Sequence, residues 1–182
     1  RQGIQPWLLK SLLFLLLIIN GPQLRGLEDQ TPLAAKIKVA YIYNILKFVD
    51  WPRPVDGTPN TPIRICTIGT DETTVLLKEL ASRTIRNRSI QVVACPGDLP
   101  PAGCQVIFFS HDALQTFPEK LSEYAQHPTL TIGDQPAFAQ RGGMIGFCIE
   151  DERVRLEINL TLLRGSGLAV SAKLLEIARV IP

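Results

Sequence analysis

The chain has 182 residues, 46% of them hydrophobic, and its 19 Lys and Arg against 17 Asp and Glu give a net charge of +2. That length sets a prior of one domain with room for a real core, and the apolar content argues against wholesale disorder. The balanced charge supplies no basic block, so nucleic acid is not expected as a partner, and Arg83, Arg86 and Arg88 read as a solvated face.

Arg1 and Lys10 flank the apolar run of residues 11–19 (SLLFLLLII), which Asn20, Gly21 and Pro22 break. A cationic start and an apolar stretch of about ten residues match a secretory signal, whereas a membrane span needs about twenty. Residues 1–30 are therefore expected to be signal peptide and linker, and residues 31–182 a single exported domain.

Thr31 can cap a helix with Pro32 at its first position. That helix is expected over 33–49, with Ile37, Ala40, Tyr41, Asn44, Ile45 and Phe48 at helical spacing. Asp50-Trp51-Pro52 ends it, because a residue before proline avoids the helical region. A Pro-rich loop follows, then a β-rich run at 63–68. Thr70 or Asp71 can cap a helix over 72–82, with Val75, Leu76 and Leu80 facing inward. Strands are expected at 90–94, at 129–132, and at 105–109, whose unbroken apolar run suits burial on both faces. Ser110 can open short helical pieces reaching 126, and Asp134-Gln135-Pro136 a helical turn to about 140. Residues 144–149 and 153–158, joined at Asp151-Glu152, must pair as an antiparallel hairpin. In its second strand Val154, Leu156 and Ile158 alternate with Arg153, Arg155 and Glu157, so one face is expected to be wet. Asn159 can cap a turn ending at Arg164-Gly165, and a last helix is expected over 171–180. This order predicts a three-layer α/β sandwich: a mostly parallel sheet of about six strands, helices on both faces, and a C-terminal antiparallel hairpin at one edge.

Catalytic signatures are sparse. The sequence contains no G-x-S-x-G elbow, no G-x-x-x-x-G-K-[ST] and no G-x-G-x-x-G, so an enzyme is not expected. In open α/β sheets ligands bind outside the carboxyl ends of strands. Those ends supply Gly69, Thr70, Asp71, Ser110, His111 and Asp134, and Arg141 adds a cation to this candidate ligand set. Caps and turn formers would be drawn from the same residue types. The four cysteines, Cys66, Cys95, Cys104 and Cys148, suit disulfides in an exported chain. Without C-x-x-C or histidines at ligand spacing, no metal and no cofactor is expected.

AAKIKVAYIYNILKFVDWP, IRICTIGTD, RTIRNRSIQV, GCQVIFFS, TLTIGDQPAFAQRGGMIGFCIEDERVRLEINL and SGLAVSAKLLEIARV follow one another in an order that resembles the YfiR family, across about residues 34–181. The resemblance implies a periplasmic regulator without catalytic activity. It implies repression of a membrane-bound diguanylate cyclase through contact with the cyclase's periplasmic portion, hence a role in cyclic-di-GMP signalling and biofilm control. An outer-membrane lipoprotein that sequesters the repressor, and a second copy in a homodimer, are the further partners considered. The alternative is a periplasmic small-ligand sensor acting on another membrane signalling protein. The resemblance also implies a Cys66–Cys104 disulfide; Cys95 and Cys148 then pair or stay free, and a Cys95–Cys104 link remains a rival. The candidate partner-binding residues are Arg153, Arg155 and Glu157 on the hairpin, with Leu174 and Arg179 in the last expected helix.

Overall fold

The computed structural model describes residues 32–52, 61–95, 103–113, 121, 123–124 and 126–181. The expected signal segment, and Thr31 as a cap, lie outside them. Among the described residues no helix is long and apolar enough to cross a membrane.

Helix α1 (Pro32–Phe48) leads into the two-residue strand β1 (Val49–Asp50). Its buried stripe is Ala35, Lys38, Val39, Ile42, Ile45 and Leu46, continued by Val49 of β1. The expected stripe was rotated from this one: Ile37, Ala40 and Asn44 are exposed. The helix is apolar on several sides, so spacing alone did not choose the face. Lys38, a residue type rarely buried without a partner, sits in the middle of the true stripe.

Strand β2 (Ile63–Ile68) is followed by α2 (Glu72–Leu77), a 3-10 segment (Lys78–Ser82) and β3 (Thr84–Ile85). Asp71 caps α2: its carboxylate accepts the Thr74 N–H at 2.8 Å. Thr73, Thr74 and Leu77 face inward, whereas Val75, expected inside, is 56% exposed. Then come β4 (Arg88–Ala94), β5 (Val106–Phe109), β6 (Leu130–Gly133), β7 (Ile145–Glu150) and β8 (Arg153–Asn159). Both hairpins, β3–β4 and β7–β8, turn through two residues with positive φ, Arg86 and Asn87 in one and Asp151 and Glu152 in the other. That is the type I′ geometry matched to strand twist.

The chain ends with α3 (Leu160–Gly165), β9 (Ala169–Val170), α4 (Ala172–Glu176) and β10 (Ala178–Ile181). Asn159 caps α3, accepting the Leu162 N–H at 3.0 Å. The helix expected over 171–180 is therefore only its first half. From Ala178 the chain pairs in parallel with β8. That pairing satisfies ladder groups that β8 would otherwise leave open, and it outweighs the helical spacing of Leu174, Leu175 and Ala178.

The main sheet has eight strands in the order β10-β8-β7-β6-β5-β2-β4-β3. β7, β6, β5, β2 and β4 are mutually parallel; β8 and β10 run the other way at one end, and β3 at the other. The mostly parallel three-layer architecture is as expected. Six strands become eight because β3 is too short to show period-2 patterning and β10 is made a strand by its pairing with β8; β10, not the hairpin, forms the edge. A separate two-stranded ladder joins β1 to β9.

One face of the sheet, with Ile63, Ile65, Val106, Phe108, Leu130, Ile132, Ile145, Phe147, Leu156 and Ile158, packs on α1, Leu77, Leu163 and Leu174. The other, with Cys66, Ile68, Ile107 and Phe109, packs on Leu121, Tyr124 and Phe138. Phe138 lies between glycines: a Cβ added at Gly133 or Gly143 would collide with its ring. Gly143→Ala is expected to lower the unfolding free energy by about 1–3 kcal/mol, the range for overpacking a filled core. Gly165→Ala, with nothing within 4 Å of the added Cβ, should stay within about 1 kcal/mol of the parent. Urea denaturation of both variants checks that order.

Candidate functional site

The strand order reverses between β2 and β5: the chain steps from β2 outward to β4, then returns past β2 to β5, β6 and β7. Such a switch point opens a crevice at the carboxyl ends of the two strands, where ligands of open α/β sheets bind. Here the crevice is bounded by Gly69, Thr70 and Asp71 after β2 and by Ser110, His111 and Asp112 after β5.

The protein's own groups bridge it. Thr70 donates to Asp112 from its backbone N–H, at 3.3 Å to each carboxylate oxygen, and from its hydroxyl at 3.0 Å. The Ser110 hydroxyl donates to Oδ1 of Asp112. These donors, Ser110 foremost, hold the Asp112 carboxyl below its ordinary range. Asp71 uses one oxygen as the α2 cap and takes the His111 backbone N–H on the other at 3.2 Å. Gly69 has φ +97, and a Cβ there would run into Ser110 Oγ. Close approach of the two loops therefore requires glycine at this position.

One strand over, Asp134 at the end of β6 meets Lys38 of α1 at 2.7 Å, with side chains 4% and 5% exposed. His111 Nδ1 lies 3.2 Å from the Asp134 carbonyl oxygen, and the Gln135 amide donates to the Ser110 and His111 carbonyls at 2.6 and 3.2 Å. Gln135 Oε1 is buried and has no partner among the described residues. Sequence reading found Gly69, Thr70, Asp71, Ser110, His111 and Asp134, and the structure brings them together. It missed Asp112, Gln135 and Lys38. The signal for Lys38 was a charge on the inner face of α1, legible only once the correct stripe is known. Arg141 is exposed, and its described bonds, to Ala137 O at 2.9 Å and Phe138 O at 3.2 Å, are made by its backbone N–H. Its side chain has no described tie to the cluster.

Cys66 and Cys104 form a disulfide, as the resemblance implied. Cys95 and Cys148 are free thiols. Cys95 lies just past β4 and Cys148 in β7, four sheet positions apart, which is about 19 Å at ordinary strand spacing and far beyond disulfide reach. The Sγ atoms of Cys66, Cys95 and Cys104 lie within 4.8 Å of one another. Sequence spacing hid this, because neighbouring strands supply the convergence.

The candidate partner face is smaller than expected. Arg153 and Arg155 are exposed on β8. Glu157, expected on the same wet face, is buried, because the Phe138–Ala139 turn lies over it. A Cβ on its cross-strand neighbour Gly146 would stand 3.2 Å from the Ala139 nitrogen, and Asn159 donates to the Ala139 carbonyl at 3.2 Å. Arg179 pairs with Glu157 and, at 2.7 Å, with Glu150. Leu174 is 1% exposed and belongs to the core, so it is withdrawn from the partner surface.

These features define a class: a three-layer α/β domain with a stapled core and a switch-point crevice filled by its own side chains. A model of the YfiR/HmsC-like family matches residues 35–179. The chain belongs to that family.

Burial, the larger influence, raises the Asp134 carboxyl above its ordinary range, while the hydrogen bond and charge of Lys38 pull it back. The folded chain therefore holds this proton longer than the unfolded chain does. The group's contribution to stability falls as pH rises from about 3.9 through the folded value. Without Lys38 that loss deepens. Lys38→Met is expected to cost little near pH 4 and about 3–5 kcal/mol near pH 7, the range for orphaning a buried charge. Lys38→Met/Asp134→Leu should recover most of it. Urea melts at the two pH values check both statements.

Proposed function

We propose that this protein is a periplasmic regulatory binding protein that represses a membrane-bound diguanylate cyclase by contact with the cyclase's periplasmic portion. The observation that carries the reading is the family match over residues 35–179. The disulfide supports it, since such bridges persist in oxidising compartments. The filled crevice supports it as well. Asp71 and Asp112 already accept hydrogen bonds from Thr74, His111, Thr70 and Ser110. Those carboxylates therefore serve the domain's own loops, which suits a rigid binding module better than an enzyme.

The contact surface is placed on the exposed part of the hairpin, around Arg153 and Arg155. A second reading, a ligand sensor, rests on Gln135 Oε1, buried beside Asp134 with no partner among the described residues. A metabolite that donates a hydrogen bond there would raise the melting temperature in a thermal-shift screen.

The test is recovery of membrane proteins on the tagged mature domain, with and without a thiol reductant, read by mass spectrometry. A diguanylate cyclase is expected without reductant and is expected to be lost with it, because losing the bridge removes about 2–4 kcal/mol of stability. Recovery of no membrane partner in either condition overturns the reading. Arg153→Glu/Arg155→Glu is expected to weaken capture at least tenfold, about 1.4 kcal/mol, with an unchanged melting temperature, since both side chains are exposed. Unchanged capture removes this face from the interface.

A further inference from the structure

Cys95 is buried in the core that holds the Cys66–Cys104 bridge, as a free thiol placed against that bridge. Cys66 lies in β2, the strand between β4 and β5. Its register partners are Val93 on β4 and Ile107 on β5. Cys95 is two residues beyond Val93, so alternation returns its side chain to the face that carries Cys66. The Cys95 backbone N–H donates to Thr67 O at 2.9 Å, which holds the end of β4 against β2. Cys104 reaches the same spot from the segment ahead of β5, where its carbonyl accepts the Thr129 hydroxyl at 3.1 Å. All three sulfurs lie within 4.8 Å of one another, and all three residues are buried.

We propose that the Cys66–Cys104 bridge is exchangeable within the folded protein, with Cys95 as the internal nucleophile. The Cys95 thiolate attacks Sγ of Cys104, a Cys95–Cys104 bond forms, the Cys66–Cys104 bond breaks, and Cys66 leaves as the thiolate and takes up the proton that Cys95 gave up. One disulfide and one thiol stand on each side, so no outside oxidant or reductant is required. Metal capture by the same trio would first need two-electron reduction of the bridge; exchange is the step these residues make alone. Burial pushes the Cys95 thiol up. Its thiolate is therefore scarce, and exchange is slow compared with that of an exposed thiol.

The two linkages are not equivalent. The Cys66–Cys104 bond spans 38 residues. Positions 95 and 104 differ by nine, so the alternative closes a much shorter loop and constrains the unfolded chain less. The structure holds the first, with Cys95 as the free thiol, so the first is the major form and the second the minor one. Exchange unties β2, the strand on one side of the switch point, while the protein stays oxidised overall. This inference stands on the sulfur geometry and does not depend on which partner the domain binds.

Tryptic mapping after acid quench and alkylation reads the exchange directly. The Cys66–Cys104 bond joins peptide 65–78 to peptide 89–120, whereas a Cys95–Cys104 bond lies inside peptide 89–120 and leaves peptide 65–78 alone with an alkylated Cys66. Incubation of the native protein without added thiol is expected to yield that free, alkylated 65–78 peptide, and Cys95→Ser to abolish it. In Cys66→Ser, oxidised during expression, Cys95–Cys104 is expected to form and leave Cys148 as the one titratable thiol. Three titratable thiols in Cys66→Ser overturn the proposal. So does a native protein whose 65–78 peptide is free to the same extent with and without Cys95, and this second measurement stands if Cys66→Ser fails to fold.

Discussion

The Lys38–Asp134 pair couples the two halves of this architecture. Lys38 stands near the start of α1, and Asp134 at the carboxyl end of β6. At the other end of the helix the Trp51 indole donates to the Gln105 carbonyl at 3.2 Å, just ahead of β5. α1 is thus pinned at both ends of the sheet, and it runs antiparallel to the parallel strands. An ion pair 4–5% exposed is a poor source of net stability against a well-packed apolar substitute. What it supplies is placement, because neither charge tolerates burial alone and only one setting of the helix brings them together. The His111 and Gln135 contacts with the Asp134 carbonyl and the β5 loop extend that setting into the switch-point crevice.

The fold was legible where one physical signal dominated. The apolar run at 106–109 read as a strand buried on both faces, and the Asp151-Glu152 turn as the join of a hairpin. Legibility failed where a segment's fate depended on distant pairing. Residues 178–181 have helical spacing behind them, and what makes them a strand is the exposed edge of β8, which no local window contains. α1 was found as a helix but rotated, because Ile37, Tyr41 and Phe48 are as apolar as the residues that are buried. The sheet, not the helix, selected the face.

The site followed the same division. The rule that strand ends host function named Gly69, Thr70, Asp71, Ser110, His111 and Asp134, and these do meet. It could not say that they meet each other. Thr70 and Asp112 are 42 residues apart and Lys38 and Asp134 are 96 apart, so their contacts exist only after the sheet is assembled. The reading of these residues as caps and turn formers was also correct for Asp71, which is both a helix cap and one wall of the crevice. Glu157 shows the converse. Its alternation with Val154 and Leu156 places it on the outer face of β8, and the face is outer only until the Phe138–Ala139 turn covers it.

The cysteines show the same dependence on assembly. A disulfide between neighbouring strands ordinarily restates what the ladder already fixes. Here it lies in the core on the face away from α1, where Phe109 packs against Tyr124 and Phe138. The opposite face packs on α1. Loss or migration of the bridge therefore acts on the face away from α1. The same Phe138–Ala139 turn contributes to that core and covers Glu157 and Gly146 beside the exposed arginines of β8. A loosened core on that face would thus reach the hairpin through this turn, with no need for a ligand in the crevice or a change in α1.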